Sequence, residues 1–264
     1  MERTGGTTLW HLPISHYSEK ARWALAYKSV EHERRTAQAG MHIAVALRLT
    51  RGRHYTFPVL ELDGERIGDS TAIIAKLEER FPEPALYPTD PVERRRALEL
   101  EDWFDENLGP YIRRFLFNQG RNDRDYFDEV VARMAPPALA RHKRAYGVGA
   151  RLFTALRFGA GSSRAAERAR QRLLAALDRL EVELGDGRYL VGDRFTVADL
   201  TAAALFYPLV LPPEGPQVMN PVAPGWEEFR SPFKERRGYR WVEEMFRRHR
   251  QPAATAPSEM LSTS

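Results

Sequence analysis

The spacing of hydrophobic and polar positions changes character along this chain and divides it into two unlike halves. In the first half, short strand-like runs take turns with helical stripes. Thr8-Leu9-Trp10-His11-Leu12 reads as a strand, stopped by Pro13. From Ser15 to Val30 the spacing turns helical, with Tyr17, Ala21, Ala24, Leu25 and the stem of Lys28 on one stripe. A polar run over 31–38 fits a second strand, and Met41 to Leu49 a short helix. Phe57 to Leu62 is a third strand. Asp63-Gly64 supplies a two-residue hairpin turn, and Glu65 to Gly68 returns as a fourth strand. Asp69-Ser70 opens a helix to Phe81 that carries Ile73, Ile74, Leu77 and Phe81 on one face. The order is βαβα followed by ββα.

Pro82, Pro84, Pro88 and Pro91 then punctuate a linker. Beyond it the period is helical almost throughout. Phe104, Leu108, Tyr111, Ile112 and Phe115 line one predicted helix, and Leu173, Leu177, Leu180 and Leu184 another. Residues 121–162 hold helical patches broken by Pro136-Pro137 and by Gly147, Gly149, Gly159 and Gly161. From about Gln251 the chain is small and polar, as a disordered tail would be. The predicted division is a domain over 1–82, an all-helical domain over 92–250 with an insertion near 121–162, and a tail over 251–264.

Composition narrows the chemistry. The chain has no cysteine, which removes disulfides, a protein thiolate and Cys-rich metal sites. Its seven histidines show no paired-ligand spacing, so no metal site is expected. The formal charge is only +4 over 264 residues, too small an excess to suggest nucleic acid. No stretch approaches the roughly 20 apolar residues that span a bilayer, and residues 1–8 hold no signal-like run. A cytoplasmic protein without membrane partners is expected.

Three spots carry candidate chemistry. Pro58 opens a strand in mid-domain, where proline costs a ladder donor. It is either a trans residue at a strand start or a cis residue that leaves the Phe57 main chain free to pair with an extended ligand. Gly68-Asp69-Ser70 starts a helix, where free N–H groups and a hydroxyl either cap the helix or receive an anion. The hydroxyls of Ser15, Tyr17 and Ser18 stand at another helix start, where they either cap or meet a ligand thiol whose ionised form the helix dipole favours. A fourth motif, Gly192 to Leu200, reads as a capping box, with Thr196 and Asp199 flanked by Phe195 and Leu200.

In this order and spacing the four pieces resemble the glutathione S-transferase superfamily. Ser15-His16-Tyr17-Ser18-Glu19-Lys20-Ala21-Arg22 matches its active turn, Ser/Cys-Pro-Phe-Ser-x-Lys/Arg-x-Arg, except at His16. Phe57-Pro58-Val59-Leu60 is similar to its cis-proline segment, Asp69-Ser70-Thr71-Ala72-Ile73 to its Glu/Asp-Ser-x-Ala-Ile motif, and Tyr189 to Asp199 to its second-domain signature. The resemblance implies a thioredoxin-like α/β domain followed by an all-α domain. It implies glutathione, or another small thiol, as co-substrate, a hydrophobic electrophile as partner substrate, and a homodimer. Position by position, Ser15 would stabilise the thiolate, with Ser18 and Tyr17 in reserve. The Phe57 main chain beside Pro58, together with Asp69, Ser70 and His54, would hold the thiol. Leu12, Ile14, Tyr111 and Phe115 would face the electrophile. Without cysteine at 15 or 18, disulfide exchange is not expected. His16 in place of proline and the insertion keep a second reading open: a non-catalytic carrier of a tetrapyrrole or another hydrophobic ligand, or a protein-binding module, on the same fold.

Overall fold

The structure, a computed structural model, describes residues 6–37, 41–135, 141–159, 161–250 and 259–260. The first half runs β1 (Thr8–His11), α1 (His16–Tyr27), β2 (Glu33–Thr36), α2 (His42–Leu49), β3 (Val59–Leu62), β4 (Glu65–Gly68) and α3 (Ser70–Arg80), the βαβα–ββα order that the residue pattern predicts. The strands lie in the order β4-β3-β1-β2. β1 and β2 are parallel, β3 is antiparallel to β1, and β4 is antiparallel to β3. A two-residue strand, β5 (Glu259–Met260), adds in parallel to β2. The rest of the segment expected to be an unstructured tail, 251–258 and 261–264, lies outside the described residues.

Successive strand residues face opposite sides of a sheet, and that alternation sets the layers. Leu9 and Leu60 join the main core with Ala21 and Leu25 of α1 and Ile73, Ile74 and Leu77 of α3. Their neighbours Trp10 and Val59 form a smaller core with Ala46 of α2 and with Phe57. At the hairpin, Asp63 and Gly64 both have positive φ, 50° and 83°. A two-residue turn needs that backbone to match the strand twist. Helix α1 stops at Tyr27, short of the expected Val30. Ser29 turns left-handed at φ 53°, and the N–H groups of Ser29 and Val30 bond back to Ala26 and Leu25 O at 3.0 and 2.9 Å. Those two bonds satisfy carbonyls that the helix end would leave orphaned.

The second half is helical: α4 (Pro91–Asn107), α5 (Gly109–Asn122), α6 (Arg124–Arg133), α7 (Lys143–Phe158), α8 (Ser163–Leu184), α9 (Val197–Val210), α10 (Pro224–Arg230) and α11 (Arg237–His249). α9 is buried along its whole length and α1 packs on it, so the two halves share one continuous core. The proline-rich linker is fastened at both its groups. Leu86 N–H donates to Glu78 Oε1 at 2.8 Å, and Leu86 O accepts from Val197 N–H at 2.9 Å.

Two sequence expectations need correction. The stripe from Phe104 to Phe115 does not belong to one helix. The chain breaks at Leu108, where Pro110 in the first turn of α5 lacks an N–H to continue the ladder. Gly147 and Gly149 do not break the insertion, since both lie inside α7. A Cβ on Gly147 would sit 1.8 Å from Asp128 Oδ1 of α6, so this glycine lets the two helices close on each other.

The capping box forms as expected. Asp199 accepts from Thr196 N–H and from Thr196 Oγ1 with Oδ2, at 2.8 and 2.9 Å, and from Leu190 N–H with Oδ1 at 2.8 Å. Thr196→Ala is expected to lower unfolding stability by about 0.5–2 kcal/mol. A urea titration checks this, and an unchanged midpoint would mean that the box adds nothing to α9.

Candidate active site

Arg22, Ser18 and Ser15 of the active turn hold the loop between β1 and α1. Arg22 donates to Leu12 O and Pro13 O, at 3.2 and 3.3 Å, and pairs with the buried Glu19 at 2.7 Å. Ser18 is fully buried, and its Oγ accepts from Leu12 N–H at 3.2 Å. Ser15 is the N-cap of α1, and its Oγ accepts from Ser18 N–H at 3.2 Å. A hydroxyl has one proton to donate besides its lone pairs, so the Ser15 O–H remains available to a ligand at the positive end of α1. Tyr207 of α9 reaches the same loop from below, donating to Ile14 O at 3.2 Å.

Beneath the turn lies a buried ionic knot. Lys20 Nζ contacts Glu101 Oε1, Asp105 Oδ2 and Thr71 Oγ1 at 2.8, 2.5 and 2.8 Å, and Thr71 Oγ1 donates to the same Asp105 oxygen. One lysine thereby ties α1, α3 and α4 together. Burial pushes Glu101 above the usual carboxylate range, against the pull of the Lys20 charge. Tyr17 OH donates to Asp105 O at 2.8 Å, and burial, reinforced by the Asp105 charge, raises its phenol far above its usual value. A Cβ on Gly109 would fall 2.0 Å from that hydroxyl, so a glycine is needed where α5 starts.

A cavity of about 1000 Å³ opens over these elements. Ser15, Tyr17, His54, Phe57, Pro58, Asp69 and Ser70 line it, and so do Leu12 and Ile14. The Phe57–Pro58 peptide bond is cis. Asp69 has φ 77° and caps α3, its Oδ1 accepting from Thr71 and Ala72 N–H at 2.9 and 3.2 Å; Ser70 is the first residue of that helix. His54 packs face-on to Gly68, where a Cβ would lie 2.5 Å from the imidazole ring. Its main chain is clamped by Thr50 Oγ1, with both bonds at 2.9 Å. Arg51 and Arg53 of the same loop stay exposed and do not line the cavity.

Three predicted site residues are not brought there. Ser18 points its hydroxyl at Leu12 rather than into the cavity. Tyr111 and Phe115 also lie off the cavity wall. Phe115 is buried against Trp226 and Phe229, and Tyr111 packs under Arg172. The stripe faces the core on both sides of the break at Leu108, since Phe104, Leu108, Ile112 and Phe115 are all buried there, and Arg113, Leu116 and Phe117 face the cavity instead. The place of the insertion in the sequence allows a roof over the site, but the sequence alone does not single out the residues that form it. Tyr126, Phe127 and Val131 of α6 and Tyr146, Phe153 and Phe158 of α7 close the cavity from the insertion. The aromatic residues of 121–162 were the available signal. Asp128 pairs with Arg151 and holds α6 to α7, and Tyr126 OH donates to Met219 O at 2.8 Å. Among the described residues, no three His, Asp or Glu side chains gather as metal ligands, and no helix is long and apolar enough to cross a membrane.

Two histidines at the turn are held neutral. Burial and then Arg22 push His11 down to about 2, and burial and then Arg113 push His16 down to about 3. Geometry agrees for His11, because Arg22 Nη1 lies 2.7 Å from its Nδ1 and only a neutral ring can accept there. In the unfolded chain both titrate near 6.5. Below that pH the unfolded state binds protons that the folded state refuses, so stability falls with pH by about 1.4 kcal/mol per unit for each histidine. Urea midpoints between pH 7.5 and 5.5 (about one unit either side of the free value) are expected to show that slope. His16→Gln is expected to make the slope shallower by up to about 1.4 kcal/mol per pH unit, and an unchanged slope would contradict the assignment.

Two family descriptions match the chain: "Glutathione S-transferase, N-terminal domain" over residues 9–85 and "Glutathione S-transferase, C-terminal domain" over residues 163–235. The stretch 86–162, which holds α4, α5 and the insertion, falls between them. A glutathione S-transferase structure from Rhodospirillum rubrum F11 is similar at 26% identity and TM-score 0.52, covering 89% of this chain and 91% of that one. Probable maleylacetoacetate isomerase 1 of Drosophila melanogaster is 32% identical over 107 residues, 36% of this chain. FtsZ-localized protein A of Caulobacter vibrioides is 30% identical over 138 residues, 52% of this chain. These matches span 41% and 47% of the two relatives' own lengths. With both domain descriptions matched in order, and a thioredoxin-like half packed on a helical half, the chain belongs to the glutathione S-transferase family.

Proposed function

We propose that the chain is a glutathione-dependent transferase or isomerase whose bound thiolate attacks a hydrophobic electrophile. The observation that carries this reading is the single cavity that takes in Ser15 at the start of α1, Phe57 and Pro58, and Asp69 and Ser70 at the start of α3. In this reading the extended thiol pairs with the Phe57 main chain, its charged amino-acid end meets Asp69 and Ser70, and its sulfur lies at Ser15. The Ser15 O–H and the α1 dipole stabilise the thiolate, so the S–H proton passes to solvent near neutral pH. The sulfur lone pair then forms the new S–C bond. In a substitution a leaving group departs; in an isomerisation the same sulfur adds and later leaves. The aromatic roof supplies an apolar room for the electrophile. A cytoplasmic location and a homodimer belong to the same reading by family likeness.

The kinship with a protein named for its localisation with FtsZ, and His16 in place of the family's proline, favour a second reading as a non-catalytic binding module. Retention on immobilised glutathione, together with conjugation of chlorodinitrobenzene, separates the two. Retention and turnover support the enzyme. Absence of thiol affinity, or a coloured ligand copurifying in its place, favours the binding module.

A further inference from the structure

Arg113 is a guanidinium in a largely apolar room, with no ion-pair partner among the described residues. It projects from α5 into the cavity between the turn and the roof. Its Nε is buried without a hydrogen-bond partner. Its neighbours are ring faces: Phe158 of the roof lies with its centroid 4.5 Å from the guanidinium carbon, and Tyr17 of the turn at 5.9 Å. The groups that bear on its charge after burial itself are Tyr17, Arg157, Tyr55 and Arg114, and none is a carboxylate. The other arginine on the cavity wall, Arg133, is engaged by Val218 and Asn220 carbonyls. Of the acids lining the cavity, Asp105 is engaged by Lys20 through Oδ2, Asp69 caps α3, and Glu106 is exposed. Beside Arg113, the buried His16 carries a second unpartnered atom, Nε2. A guanidinium held among ring faces with its buried Nε unpartnered is costly, and an anion repays that cost when it arrives.

We infer that the roofed end of the cavity is an anion subsite, in which Arg113 binds the carboxylate of an electrophile that is otherwise apolar or aromatic. Assigning the anion to the electrophile rests on the thiol-transferase reading above. The two ring faces hold the guanidinium plane, leaving its edge donors for a two-oxygen acceptor, the geometry at which arginine exceeds lysine. His16 Nε2 offers one hydrogen-bonding position alongside. The apolar body of the ligand lies against Phe153 and Phe158, and its reactive carbon faces Ser15.

The test is calorimetric and needs no turnover. Naphthoate and the neutral naphthamide are titrated into the full chain saturated with S-methylglutathione, which cannot react. The intact protein is expected to bind naphthoate on the order of tenfold more tightly than naphthamide. In Arg113→Gln the ratio is expected to fall to about one, and in Arg113→Lys to an intermediate value, because a point charge restores attraction but not the paired geometry. Equal affinities for the two ligands in the unaltered chain would overturn the inference, as would an Arg113→Gln chain that keeps the preference. An Arg113→Gln chain that loses S-methylglutathione instead would assign the guanidinium to the thiol and overturn it as well. A chain that prefers naphthoate through Arg113 but binds no S-methylglutathione would keep the subsite and sink only the thiol reading.

Discussion

Ser15→Ala is expected to lower turnover with chlorodinitrobenzene about 100- to 1000-fold, the loss typical of removing one donor aimed at developing or resident negative charge. Binding of glutathione itself is expected to change little, because the proposed contacts at Phe57, Asp69 and Ser70 remain. The serine also caps α1, so the same change costs about 1 kcal/mol of stability. Ser15→Thr separates these effects, since it keeps a hydroxyl at the cap and is expected to retain most of the rate. Steady-state kinetics on both variants decide the matter. A Ser15→Ala enzyme within a few-fold of the parent would place the thiol contact elsewhere, and Tyr17, whose hydroxyl is committed to Asp105 O, would be a poor replacement.

The second large effect is on stability. Lys20→Met removes the only cation contacting Glu101 and Asp105 among the described residues. Two carboxylates would then face each other under the turn, one of them fully buried. Breaking a buried pair from one side typically costs about 3–5 kcal/mol. Urea unfolding is expected to show a loss of that size. Adding Glu101→Gln to Lys20→Met is expected to recover part of it, because an amide carries no charge to desolvate. A Lys20→Met chain with an unchanged midpoint would mean that water reaches the knot and solvates it.

The residues that make these predictions possible were legible in the sequence to different degrees. Strand and helix order in the first half could be read because local chemistry there is decisive. Asp63-Gly64 dictates a turn, Pro13 ends a strand, and Ile73, Ile74 and Leu77 repeat at helical spacing. The end of the cavity proposed for the thiol could be named from sequence because Ser15, Pro58 and Ser70 sit at element starts, and all three line the cavity. Lys20 and Arg22 belong to the recognised turn motif, yet their work is long-range. Lys20 meets Asp105 and Glu101 across more than eighty positions of sequence, which no local pattern reports.

The end of the cavity proposed for the electrophile was misread for one physical reason. Phe104, Leu108, Ile112 and Phe115 make one apolar stripe, and such a stripe packs on the core rather than facing a groove. Phe115 therefore joins the core, Tyr111 packs against its edge, and Arg113 and Phe117 turn to the cavity. The place of the insertion allows for a roof, but the helices that build it are hard to read. Gly147 and Gly149 look like breakers in a single sequence, whereas Gly147 is the point at which α7 rests on Asp128 of α6. A helix glycine that permits close approach and one that ends a helix have the same letter, and only the partner helix tells them apart.

The account stands or falls on where the sulfur of a bound thiol lies, and the ionisation of that thiol reports it. Following the ultraviolet absorbance of the thiolate against pH, with glutathione bound to the protein, is expected to show the thiol ionising well below the roughly 8.5 of a free thiol, and to show that depression lost in Ser15→Ala. A bound thiol that ionises at its free value, or one equally depressed with and without the Ser15 hydroxyl, would contradict the placement at the start of α1.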